Sequence, residues 1–173
     1  MMRFTPAAVS LAVLLAVTSS VSLGQKPASI DPRSLQWSER GVTAFAAGNL
    51  DGATDAFETS LVLDPRNRNA FVGLAQVAEA QKLPGKAIRY YDEALSFDPK
   101  DVTTLRAQGL AMLEKGALES ARGNLARIKE NCKGRCEAAD QLASAIATKG
   151  VAPPRIVASS DLTPVPAGAP IKE

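Results

Sequence analysis

The chain has 173 residues, 46% of them apolar and 22% charged, so it is able to bury a core. Its 20 Lys and Arg stand against 18 Asp and Glu, a net charge of +2 that lacks the basic excess expected of a nucleic-acid-binding surface. Histidine is absent and there are only two cysteines, which excludes His-dependent triads, His-containing metal sites and a four-cysteine zinc site.

Residues 1–24 combine one positive charge (Arg3), an apolar run from Ala7 to Val17 and a tail of small residues. That is the pattern of a secretory signal peptide, and the run is shorter than the roughly 20 apolar residues a spanning helix needs. Ser22 and Gly24 suit a cut before Gln25, and a cut after Ser22 fits nearly as well. An uncleaved N-terminal anchor is the alternative. The expectation is an exported chain, in the periplasm, with no membrane insertion after signal cleavage. Residues 25–33 read as a loose lead-in.

From residue 34 the apolar positions recur at helical spacing. Segment 34–47 carries Trp37, Val42, Ala44, Phe45 and Ala46 and ends on the turn Gly48-Asn49. Segment 51–63 aligns Ala53, Ala56, Phe57, Leu61 and Leu63 on one side, and Asp64-Pro65 stops it, because the residue before proline is pushed out of helical geometry. Segments 70–81 and 85–97 repeat the scheme up to Asp98-Pro99, followed by 102–115 and 118–131, with Asp101 as a candidate N-cap and Gly116 between the last two. Residues 137–149 read as a seventh, capping helix with Ala138, Ala139, Leu142, Ala143, Ile146 and Ala147 inward. The tail 150–173 holds five of the eleven prolines and no aromatic residue, a composition unable to offset its ordering entropy.

One offset, 34 residues, relates these segments. It pairs Trp37 with Phe71 and Leu105, Gly41 with Ala75 and Gly109, Ala53 with Ala87 and Ala121, and Phe57 with Tyr91 and Leu125. Leu-Val-Leu-Asp-Pro at 61–65 aligns with Leu-Ser-Phe-Asp-Pro at 95–99. A large residue, a small one, Ala, an aromatic and Pro at this period resemble the tetratricopeptide repeat (TPR) family. The resemblance covers three gapless repeats, about 34–67, 68–101 and 102–133, within a domain spanning 34–149. It implies an all-α, right-handed solenoid of helix hairpins. Two departures stand out: the second turn reads Lys82-Leu83-Pro84-Gly85, and the third repeat has Lys133 in place of the closing proline.

The resemblance further implies a concave surface, lined by the first helix of each repeat, that takes a protein or peptide partner. Carried over by position, that groove comprises Val42 and Phe45 in the first repeat, Asn69, Val72, Gln76 and Glu79 in the second, and Arg106, Leu110 and Leu113 in the third. Relatives that clamp a peptide carboxylate use Lys and Asn at places held here by Ser38, Val42, Gly73, Thr103 and Ala107, so the clamp is not expected. Core packing competes as an explanation of Val42, Phe45 and Leu110.

Cys132 and Cys136 enclose Lys-Gly-Arg, and in an exported chain such a pair is expected to form a disulfide that fixes the capping helix. A redox-active dithiol is the sharper alternative. It is disfavoured by the three-residue spacing and by Cys132 standing at a helix C-terminus, where the dipole opposes a thiolate. No nucleophile–base pair can be assembled and no cofactor is implied. The expected function is therefore a non-enzymatic adaptor, with a thiol-disulfide factor, a structural subunit or a holdase as alternatives.

Overall fold

A computed structural model describes residues 29–150. The proposed signal segment, most of the lead-in and the tail beyond Gly150 lie outside the described residues. Within them the chain forms seven helices and no strand: α1 (Pro32–Ala46), α2 (Leu50–Leu63), α3 (Arg68–Ala80), α4 (Pro84–Phe97), α5 (Val102–Glu114), α6 (Leu118–Asn131) and α7 (Glu137–Gly150).

Helix α1 begins inside the segment expected as lead-in, because Asp31-Pro32 supplies a complete start signal. The Asp31 carboxylate accepts the Arg33 N–H at 2.8 Å, and Pro32 takes the first helical position, where no N–H is required. Asn49 and Asp101 cap α2 and α5 in the same way, accepting from the Gly52 and Thr103 N–H groups. Asp64 and Asp98 end α2 and α4 in extended backbone, as the proline after each demands. The turns after α1 and α5 use Gly48 and Gly116 at φ 75° and 83°. In the same register the second repeat places Lys82 at φ 60°, a left-handed conformation costing a residue with a side chain about 1 kcal/mol or more.

Consecutive helices pack antiparallel. In addition α1 touches α3, and α7 lies across both α5 and α6. The core follows the 34-residue register. Phe57 is 1% exposed and its ring fills the space between Gly41 and Gly73, where an added Cβ would stand 2.7 and 2.3 Å from ring carbons. A second cluster gathers Ala75, Ala78, Ala87, Tyr91 and Ala111. The third joins Leu95, Leu105, Leu113 and Ile128 to Ala139, Leu142 and Ile146 of α7. Leu142 sits over Gly109, so α7 closes the stack as a further first helix would, although Ala147, expected inward, is exposed.

Two buried polar networks brace the helices, one within the first repeat and one between the second and third. In the first, Asn67 Nδ2 lies 2.9 Å from the hydroxyls of Ser34, Ser38 and Ser60, and the Ser60 hydroxyl donates to the Ser34 carbonyl at 2.8 Å. In the second, Gln108 donates to Asp92 and the Ile88 carbonyl, while Asn124 donates to Gln108 Oε1 at 2.8 Å and to the Leu105 carbonyl. Each polar group thereby keeps a partner after leaving water.

At the edge where α1 begins, the buried Asp64 carboxylate accepts from the Arg66 side chain, from the Arg66 N–H and from the Asp31 N–H. The Arg66 guanidinium foremost, then these N–H groups, hold its pKa well below the usual carboxylate range.

Candidate functional site

The first helices α1, α3 and α5 carry the positions expected to line a groove, and the structure sorts these residues into three kinds. Val42 is 58% exposed, and Leu35 on the same helix face is 41% exposed. With Ser38, Glu39, Thr43 and Asn69 they line a depression of about 430 Å³ between α1 and α3. Asn69 and Gln76 are exposed.

Phe45, Val72 and Leu110 are half-buried, one against each of the three core clusters, so each divides its surface between packing and solvent. Leu113 is a correction. It is 5% exposed and packs inside the third cluster, because α7 covers the end of α5. It belongs to the core and not to the groove. Ser38 and Gly73, at positions a carboxylate clamp would use, are also buried: Ser38 within the polar network and Gly73 under Phe57.

Further along, the groove is polar. The Tyr91 hydroxyl donates to Glu79 Oε2 at 3.0 Å. Burial raises the Glu79 pKa above its ordinary value, the Tyr91 hydrogen bond opposes that rise, and Glu114 and Arg106 of α5 act across the groove in opposite senses. Burial, reinforced by Glu79, also pushes the Tyr91 phenol up. The 34-residue offset sets Tyr91 at the position of Phe57, which is a packing position. The Tyr91 ring packs there too, but a hydroxyl at a position held by Phe57 and Leu125 in the other repeats calls for a buried acceptor, and Glu79 is that acceptor.

The sulfurs of Cys132 and Cys136 stand 1.99 Å apart, at bonding distance. Cys132 ends α6 and its N–H donates to the Ile128 carbonyl, while the Cys136 carbonyl accepts from Ala139 and Asp140 in the first turn of α7. The pair therefore links the last helix of the third repeat directly to the closing helix. Among the described residues no group of three or more Cys, Asp and Glu side chains is placed to hold a metal ion.

Residues 39–102 match the family model described as tetratricopeptide repeat. Over that stretch the chain is similar to tetratricopeptide repeats. No curated protein matches it by sequence. Among solved structures, the first TPR domain of Spaghetti (RPAP3) bound to the HSP90 peptide SRMEEVD superposes with a TM-score of 0.61 at 21% identity, over 68% of this chain and 96% of its own. The type III secretion chaperone SycD of Yersinia enterocolitica, in complex with a peptide of the translocator YopD, gives 0.62 at 21% identity, over 71% and 97%. The Sgt2 TPR domain of Aspergillus fumigatus gives 0.62 at 21% identity, over 73% and 83%. These likenesses establish the TPR fold. The TPR register accounts for Phe57, Gly41 and Gly109, while the hydroxyl network around Ser60 belongs to the first repeat alone.

Proposed function

We propose that this protein is a non-enzymatic adaptor that holds an amphipathic segment of a protein partner along the concave face of its repeats, after export directed by residues 1–24. The observation that carries the reading is the depression between α1 and α3, where Leu35 and Val42 stand exposed in a concavity. Exposed aliphatic side chains inside a concave surface, with polar groups at the rim, are what an apolar anchor residue needs. TPR structures of similar shape are described with bound peptides, which supports the same use of this face.

The chemistry differs from that of a carboxylate clamp. The groove positions carry Glu39, Glu79 and Glu114 against one cation, Arg106. Acidic C-terminal peptides should therefore be repelled, and a segment with apolar anchors and a neutral or basic polar face preferred.

A photo-reactive amino acid placed at Val42 in one protein and at Val62, which is 84% exposed on α2, in another tests the reading. A partner cross-linked from position 42 and not from 62 is the expected result. Cross-links from both or from neither sink it. Export is tested separately, by fractionating cells that carry the full chain or one lacking residues 1–24.

A further inference from the structure

The turn between α3 and α4 departs from its counterparts in a way the groove does not explain. Where the first and third repeats place glycine, the second holds Lys82 at φ 60°, a backbone conformation that disfavours any side chain bearing a Cβ. Lys82 opens a surface depression of about 660 Å³ whose other cations are Lys86, Arg89 and Lys115. Lys115 comes from the end of α5, in the next repeat, and its Nζ lies 3.9 Å from where a Cβ on Gly85 would stand. No carboxylate lines the depression, and none of the five ion pairs among the described residues uses any of these four cations. At the tip of the turn, among them, Leu83 is 46% exposed.

We infer that this turn is a docking surface for an anionic lipid membrane, with Leu83 entering the headgroup layer and Lys82, Lys86, Arg89 and Lys115 set against its negative charge. Two features favour a lipid surface over an acidic protein. Three of the four cations are lysines, compact point charges on flexible stems, suited to a diffuse surface potential. Bidentate recognition of individual carboxylates is the work of arginine. An apolar tip surrounded by cations also meets both halves of an interface where headgroups give way to acyl chains. Such docking is peripheral: no helix among the described residues is long and apolar enough to cross a membrane.

The test uses two single-tryptophan additions to the full chain, Leu83→Trp and Val62→Trp, with Trp37 as the background common to both. Each is mixed with vesicles containing brominated phosphatidylglycerol or only brominated phosphatidylcholine, and fluorescence quenching is read. Because the readout belongs to a position, it separates docking of the turn from attachment through residues 1–24. The expected result is quenching in the Leu83→Trp protein on anionic vesicles, little in the Val62→Trp protein, and little in either on neutral vesicles. Adding Lys82→Gly should weaken the anionic interaction by about five-fold, and adding Lys115→Gln should weaken it by a similar factor again. Lys82→Gly should at the same time raise the unfolding midpoint, so a binding loss cannot be ascribed to misfolding. Equal quenching at both positions, an affinity indifferent to the charge changes, or binding of soluble polyglutamate without vesicle quenching would overturn the inference, the last by assigning the turn to an acidic protein.

Discussion

Asn67 Nδ2 stands 2.9 Å from the Ser60 hydroxyl, which in turn donates to the Ser34 carbonyl across 26 residues of sequence. The amide has two hydrogens to share among three hydroxyls within reach, so the four side chains form one closed set. In the second repeat the matching positions hold Arg68, Val72, Ala94 and Asp101, and no such set can form.

Asn67→Ala removes the shared donor and leaves three buried hydroxyls to rearrange, at a cost of about 1–3 kcal/mol. Ser60→Ala should cost less. The double variant should fall short of the sum, because both changes strike one network. Denaturant unfolding of the three variants beside the parent measures this, and strict additivity would refute the idea of a single closed set.

Gly73→Ala would place a methyl 2.3 Å from the Phe57 ring. A side chain packed on both faces has no room to retreat, so destabilisation by about 1–3 kcal/mol is expected. Gly123→Ala is the control, since a Cβ there meets nothing within 4 Å. It should be neutral or stabilising through helix propensity. Thermal unfolding of both variants decides.

The Glu79 pKa is raised in the folded state, foremost by burial. The folded protein then binds more protons than the unfolded chain across the interval between the ordinary glutamate value and the raised one. Stability linked to Glu79 is therefore full below the ordinary value and is lost as pH rises through the raised one. The neighbouring effect of Asp64 has the opposite sign: its lowered pKa gives stability present above the ordinary aspartate value and lost on acidification below it. Unfolding free energies of the parent and Glu79→Gln, measured over a pH series, should differ in slope above the ordinary glutamate value. Parallel curves there would contradict the assignment.

Closing a loop as short as Cys132–Cys136 restricts the unfolded chain by only about 2 kcal/mol. Leu142 is 0% exposed, and truncating it to alanine should cost about 2–5 kcal/mol. Apolar contact is thus the larger anchor of α7. Hydrogen exchange should show the α7 amides better protected after reduction of the cysteine pair than in an oxidised Leu142→Ala protein, and the reverse order would make the covalent link the main anchor.

The repeats were legible in the sequence because Phe57, Ala53, Gly41 and their partners at the 34-residue offset answer to packing, and packing repeats with the helices. What the period did not disclose depends on pairs it does not relate. Ser60 reads as one small residue on a buried helix face, and only the approach of α1 and Asn67 turns it into a hub. Leu113 reads as a groove residue by position, yet the covering helix α7 buries it, and α7 lies beyond the third repeat. Glu79 falls on the groove through the resemblance to TPR chains, while its bond to Tyr91 depends on which way two helices face one another. The strain at Lys82 had a visible sign, a departure from the glycine turn, but its sequence did not state which residue would take the left-handed backbone.

An odd number of antiparallel helices gives the domain a direction. Arg66 Nη2 reaches the Ser29 carbonyl at 3.4 Å, which ties the start of the described chain to the edge carrying Asp64. At the other end, Lys149 Nζ donates to the Leu113 carbonyl at 3.2 Å, so α7 finishes level with the end of α5, on the edge that bears Lys82 and Lys115. The two edges are one helix length apart, about 20 Å at 1.5 Å per residue. Ser29 and Gly150 therefore stand on opposite edges of the domain, so its two ends are separated across the helices as well as along the stack.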